Sequence, residues 1–199
     1  MSKYMKNKFI FYGIKSPLRK KITKKYLDEI GFFSNEEAES VIRLLWQEPY
    51  RELHYFALDL IELIIKKNNQ EIIFLLEWII IRNSWWDSID PLATKILGFY
   101  FNAYPDKIKH ITDKWMATEN IWLQRCCLLF QLKYKDRTNT DLLASFIFKL
   151  SNSKEFFIQK SIGWSLREYA KTNPEWVLNF IESNFLMPLS KREALKYLK

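Results

Sequence analysis

Apolar positions recur at three- and four-residue spacing along almost the whole chain. Leu58, Ile61 and Ile65 mark one helix face, and Ile121, Leu128, Leu129 and Leu132 mark another. Start signals punctuate the pattern: Asn35 before Glu36-Glu37, Pro105 before Asp106, Thr138 to Asp141, and Asn173-Pro174-Glu175. Ser190 and Glu193 have the spacing of a capping box. The pattern predicts helices near 2–12, 17–30, 35–48, 50–67, 70–82, 86–103, 105–117, 120–134, 139–151, 154–171, 174–184 and 190–198.

Taken in pairs, the first helices start near 35, 70, 105, 139 and 174, at intervals of 35, 35, 34 and 35 residues. Helical pairs at this period indicate an α-solenoid. The sequence signature of tetratricopeptide repeats is missing, so the expected fold is all-α and HEAT-like. About six antiparallel pairs would form a single domain over 1–199, curved, with the second helices lining a concave face.

Composition narrows the class. Gly and Pro together number ten, too few for the tight turns of an all-β protein, and 17 % aromatic residues supply a core that a disordered chain lacks. The longest apolar stretch, Ile72 to Ile81, is ten residues and contains Glu77, against the roughly 20 needed to span a bilayer. No signal peptide opens the chain. Cys126 and Cys127 are adjacent, cannot staple distant segments, and imply a reducing, cytoplasmic setting. They lie in an apolar helical run and read as core.

Charge is uneven. The first 25 residues hold nine basic groups and no acid, while the remainder is close to neutral. A solvated helix face and a polyanion contact both explain such a run.

The repeat also points to a site. Asp90, Arg125 and Lys160 are each 35 residues apart, in one register on three successive second helices. Trp86 precedes Asp90 by one turn and Trp164 follows Lys160 by one turn. An ion-pair ladder between repeats accounts for the charges, but it calls for no indoles on a polar face. His54 and His110 stand alone in sequence, so no metal is expected, and the four Gly form no phosphate-cradling loop.

Several segments carry a resemblance. Ser84-Trp85-Trp86-Asp87-Ser88-Ile89-Asp90, Asn120-Ile121-Trp122-Leu123-Gln124-Arg125 and Gln131-Leu132-Lys133-Tyr134-Lys135 are three of them. Ser153 to Ile158, Ile162-Gly163-Trp164, Leu166 to Tyr169, Leu189 to Ala194, Tyr4-Met5-Lys6-Asn7 and Gly13-Ile14 with Pro17 are the others. Together they resemble the AlkD-type DNA alkylation repair glycosylases over essentially the whole chain.

The resemblance implies a HEAT-like-repeat enzyme that removes cationic N3- and N7-alkylpurines from double-stranded DNA without drawing the base into a pocket. This contrasts with base-flipping enzymes. It assigns Asp90 as the catalytic carboxylate, Trp86 and Trp164 as the indoles flanking the sugar, and Arg125 as a backbone contact. Lys160, Arg167, Tyr4 and Lys15 are further DNA-binding positions; Lys15 sits where better-known members carry a Gln. No cofactor, metal or membrane is expected, and the expected state is a monomer. Only three residues precede Tyr4, fewer than family members typically carry, so the first helical pair is shortened and 2–12 is its remnant. Two alternatives follow: a paralogue with weak DNA binding and little or no glycosylase activity, and a protein-binding scaffold.

Overall fold

The computed structural model describes residues 2–31, 34–66 and 69–198, and two compact units divide the chain, Met1–Ile79 and Ile80–Lys199. Among the described residues the regular structure is helical, with one isolated bridge between Ile10 and Tyr50.

The first unit contains α1 (Ser16–Ile30), α2 (Asn35–Gln47), α3 (Arg51–Ile64) and all but the last residue of α4 (Ile72–Ile80). The cap of α2 is Ser34, one residue before the expected Asn35. Its hydroxyl accepts from the Glu37 amide at 3.2 Å, and the Glu37 carboxylate accepts from the Ser34 amide at 2.8 Å. Each side chain thus satisfies an amide that the first turn leaves without a partner. Ala38, Ile42 and Trp46 then bury one face of α2, which packs on α3. The helix expected over 50–67 is observed over 51–64, its last residue lying outside the described ones.

The helix expected over 2–12 is not formed. Residues 2–7 make turns, with Lys6 and Asn7 in the left-handed region at φ 53° and 56°. The chain then runs extended, and the buried Glu52 carboxylate accepts from the amides of Tyr12 (3.1 Å), Gly13 (2.9 Å) and Ile14 (3.1 Å). A short isolated helix is marginal, and Phe9 to Tyr12 favour extended backbone. Three charge-assisted bonds to one carboxylate outcompete it. Gly13, at φ 86°, takes a conformation that few other residues adopt.

The second unit contains α5 (Trp86–Pro91), α6 (Gly98–Ala103), α7 (Ile108–Met116) and α8 (Ile121–Leu129), then α9 (Thr140–Leu150), α10 (Phe156–Tyr169), α11 (Pro174–Ser183) and α12 (Pro188–Ala194). Here α8 packs between α5 and α10, and α10 between α8 and α12. Helices α7 and α9 cover α8, and α11 covers α10. This is a row of second helices backed by a row of first helices, as the pairing predicts. The second helices α3, α5, α8 and α10 start at Arg51, Trp86, Ile121 and Phe156, each 35 residues on, and α12 starts after only 32.

Between α5 and α6 the helix continues through a π-turn over Leu92–Leu97. Pro91 has no N–H to donate and its ring crowds the preceding turn, so the ladder reopens one residue wider. The expected cap at Ser190 is also displaced. Helix α12 already starts at Pro188, which places Ser190 and Glu193 inside it, both buried. Proline suits a first helical turn because its missing donor has no intrahelical role there.

Candidate functional site

Asp90 and Arg125 face each other from α5 and α8. Arg125 Nε lies 2.7 Å from Asp90 Oδ1 and Nη2 lies 2.9 Å from Oδ2, a two-pronged pair. The third nitrogen, Nη1, donates to the Phe157 carbonyl of α10 at 2.5 Å. One guanidinium therefore ties three successive second helices together. Its side chain is 5 % exposed, while that of Asp90 is 18 % exposed. Arg125 is thus directed inward at Asp90 and Phe157, and the carboxylate is the member of the pair that reaches the surface.

Burial pushes the Asp90 carboxyl up. The hydrogen bonds and charge of Arg125 pull it down and Asp87 pushes it up again, and the balance lies above the ordinary aspartate value. A carboxylate has about four lone-pair sites. Arg125 occupies two, which leaves acceptor capacity for a developing positive charge or a water. The main chain is held as well, since Thr94 Oγ1 donates to the Asp90 carbonyl at 2.8 Å across the start of the π-turn.

Trp86 opens α5 one turn before Asp90 and is half-buried. Beside this pair the N-terminal ends of α5, α8 and α10 are joined by an aromatic triangle. Trp85 and Trp122 have ring centroids 5.8 Å apart, Trp85 and Phe157 4.9 Å, and Trp122 and Phe157 5.0 Å. Arg125 Cζ lies 5.9 Å from the Phe157 ring centre. Trp122 and Phe157 are one repeat apart, the sequence signal that could have identified the triangle.

Lys160 shares the register of Asp90 and Arg125 but not their contact. Its Nζ lies 3.0 Å from Glu193 Oε2 on α12, and Arg167 Nη1 lies 3.3 Å from the same oxygen. Lys196 Nζ meets Oε1 at 2.7 Å. Burial works against this carboxylate, but hydrogen bonds from Lys196 and Lys160 outweigh it and hold the group below its ordinary value. Trp164, half-buried, lies on α10 between Lys160 and Arg167. The site thus has two charged centres, Asp90–Arg125 and Glu193 with its three cations.

The helix contact that brings Glu193 in depends on Gly163. A methyl at this position would sit 2.4 Å from Glu193 Cβ and 2.7 Å from the Ser190 carbonyl. Sequence reasoning gave Glu193 a capping role. The signal for its real one is its separation of 33 residues from Lys160, close to one repeat.

Tyr4 and Lys15 belong to the first unit. Tyr4 is 73 % exposed in the N-terminal turns, and Lys15 is exposed immediately before α1. Cys126 and Cys127 are free and buried, and burial pushes both thiols far above their ordinary values, which removes them as nucleophiles. Among the described residues no group of three His, Cys, Asp or Glu is placed to hold a metal ion, and no helix is long and apolar enough to cross a membrane.

A family model described as DNA alkylation repair enzyme matches residues 1–198. A solved structure titled as a predicted DNA alkylation repair enzyme from Enterococcus faecalis is similar along 100 % of this chain and 92 % of its own, at 37 % identity and a TM-score of 0.93. AlkD2 from Streptococcus mutans is similar over 96 % of this chain and 92 % of its own, at 18 % identity and a TM-score of 0.69, a likeness of fold. A search of curated proteins finds no match.

Proposed function

The chain belongs to the DNA alkylation repair enzyme family, and from that premise we propose that it hydrolyses the N-glycosidic bond of cationic N3- and N7-alkylpurines in duplex DNA. The observation that carries this reading is Asp90, a surface-reaching carboxylate locked in orientation by Arg125, with Trp86 one turn away.

The chemistry asks for little else. An alkylated purine already carries a positive charge, so the bond from C1′ to the base nitrogen breaks with its electron pair moving onto the base, which leaves neutral. No general acid is required. The sugar becomes oxocarbenium-like, and the fixed Asp90 carboxylate stabilises that charge where it develops. A water oxygen then bonds to C1′ and loses its proton to Asp90 or to solvent. The Trp86 and Trp164 faces suit a cationic sugar, at about 0.5–2 kcal/mol per contact.

In this reading Arg125 is a positioning residue. Its donors are directed to Asp90 and the Phe157 carbonyl, and its side chain is only 5 % exposed. Lys160 and Arg167, each about one-third exposed, are the cations that meet phosphates. Phosphate contacts set register and orientation without reading sequence. The test is release of 7-methylguanine from a methylated duplex. The wild-type chain releases the base and Asp90→Asn does not. A chain that binds duplex but releases nothing supports the non-catalytic paralogue, and one that binds no DNA supports the scaffold.

A further inference from the structure

Glu193 gathers more positive charge than it needs. One cation would neutralise a carboxylate, yet Lys160, Arg167 and Lys196 all lie within 3.3 Å of its oxygens. Three cations held together repel one another, and the cluster keeps a net excess of two positive charges. The carboxylate is 5 % exposed, whereas the three cationic side chains are 29 to 49 % exposed. A ligand arriving from solvent therefore meets the cations first, with the acid beneath them.

The geometry ties this cluster to Trp164. Lys160, Trp164 and Arg167 follow one another at spacings of four and three residues on α10, so they form one stripe. The Cα atoms of its two end residues stand about 10 Å apart along the helix axis. Both reach the same oxygen, Glu193 Oε2. A single acid on the neighbouring helix thus sets the reach of both flanks of the indole.

The neighbouring charges reinforce the sign. Lys191 and Arg192 on α12 are exposed, and the nearest further acid on α10, Glu168, pairs with Lys171 at 2.7 Å. A chain of phosphodiesters matches an array of several partly exposed cations around an aromatic face. Resting on the reading above, we infer that Glu193 is a positioning residue for the DNA backbone. It gathers Lys160, Arg167 and Lys196 into a phosphodiester-binding cluster on both sides of Trp164. Lys196 is its third phosphate ligand.

The sign of one substitution separates positioning from simple charge. Glu193→Gln removes a negative charge from a DNA-facing cluster, so charge alone makes duplex binding tighter. Positioning makes it weaker, by roughly three- to tenfold for undamaged duplexes of unrelated sequence, because the three cations splay apart. Glu193→Asp recovers part of the loss. Lys196→Ala, at a half-exposed side chain, lowers the slope of log K against log salt by about one unit. Lys149→Ala on α9 leaves that slope unchanged.

Anisotropy titrations over a salt series, with melting temperatures measured alongside, read these effects. Binding by Glu193→Gln that equals or exceeds wild type overturns the inference. If that variant does not fold, Lys196→Ala decides it, and an unchanged slope overturns it. Excision of 7-methylguanine that requires Asp90, with no effect at Glu193 or Lys196, leaves the proposed function standing without this inference. Weaker binding by both variants in a chain that excises nothing leaves the inference without the glycosylase.

Discussion

Asp90 and Arg125 are separated by 35 residues in sequence and joined by two parallel hydrogen bonds of 2.7 and 2.9 Å. One repeat length converts a sequence separation into a side-by-side position, because equivalent residues of stacked second helices lie next to each other. The pair does more than bridge two helices. Arg125 spends its third nitrogen on the Phe157 carbonyl, so the angle of the carboxylate is defined from α8 and α10 together.

Arg125→Lys keeps the charge and loses the fork. An ammonium is a point charge that cannot hold both carboxylate oxygens and the Phe157 carbonyl at once. The rate of 7-methylguanine release is expected to fall by about tenfold or more at saturating duplex, with a much smaller change in duplex affinity. Single-turnover excision alongside a binding titration checks this. An affinity loss as large as the rate loss would instead identify Arg125 as a backbone contact.

The acid limb of the pH profile reports Asp90. Its carboxyl is held above the ordinary value of 3.8, chiefly by burial. Asp90 has to be ionised to stabilise a positive sugar, so excision declines as pH falls through that raised pKa, and the decline begins at a higher pH than for an ordinary aspartate. The same shift means that the folded state favours the protonated form. Its contribution to stability is therefore present below 3.8 and lost as pH rises through the folded value. A rate profile flat down to pH 4 would exclude Asp90 as the group that must be charged.

Gly163→Ala tests the close approach of α10 and α12. The added methyl would meet Glu193 Cβ at 2.4 Å and the Ser190 carbonyl at 2.7 Å, and backbone cannot move aside as the end of a flexible side chain does. A loss of about 1–3 kcal/mol is expected from chemical denaturation. Duplex affinity should fall along with it, since the displaced Glu193 no longer reaches Lys160 and Arg167.

Glu193 has the opposite linkage to Asp90. Its folded pKa is lowered, so its contribution to stability is present above the ordinary value of 4.5 and is lost as pH falls through the lowered value. Comparing the melting temperatures of wild type and Glu193→Gln from pH 6 to pH 3 should show a gap that closes toward acid. A gap independent of pH would mean that the ion pairs contribute nothing and packing alone is lost.

Much of this was legible in the residues. The apolar spacing predicts the paired helices and their period, and the register of Asp90 and Arg125 anticipates their contact. The exceptions have separate causes. The 2–12 segment lacks the length to hold a helix alone, and it is captured by Glu52, some 40 residues away in sequence. Ser190 and Glu193 match a capping pattern, but Pro188 starts α12 earlier and turns both inward. Lys160 keeps its register yet finds a different partner, because α12 follows after 32 residues and presents an acid there.

Helix identity and the repeat are local properties. Residues three and four apart share a face whatever the rest of the chain does, so the sequence by itself determined the all-helical class, the period near 35 and the set of residues in common register. Burial and partner choice are not local. Whether Arg125 faces solvent or Asp90, and whether Lys160 meets Asp90 or Glu193, depends on how closely neighbouring helices approach. That distance is set by contacts such as Gly163 against α12. Only the tertiary structure decided those, because a hydrogen bond is made or lost over less than 1 Å, a displacement that sequence spacing does not encode.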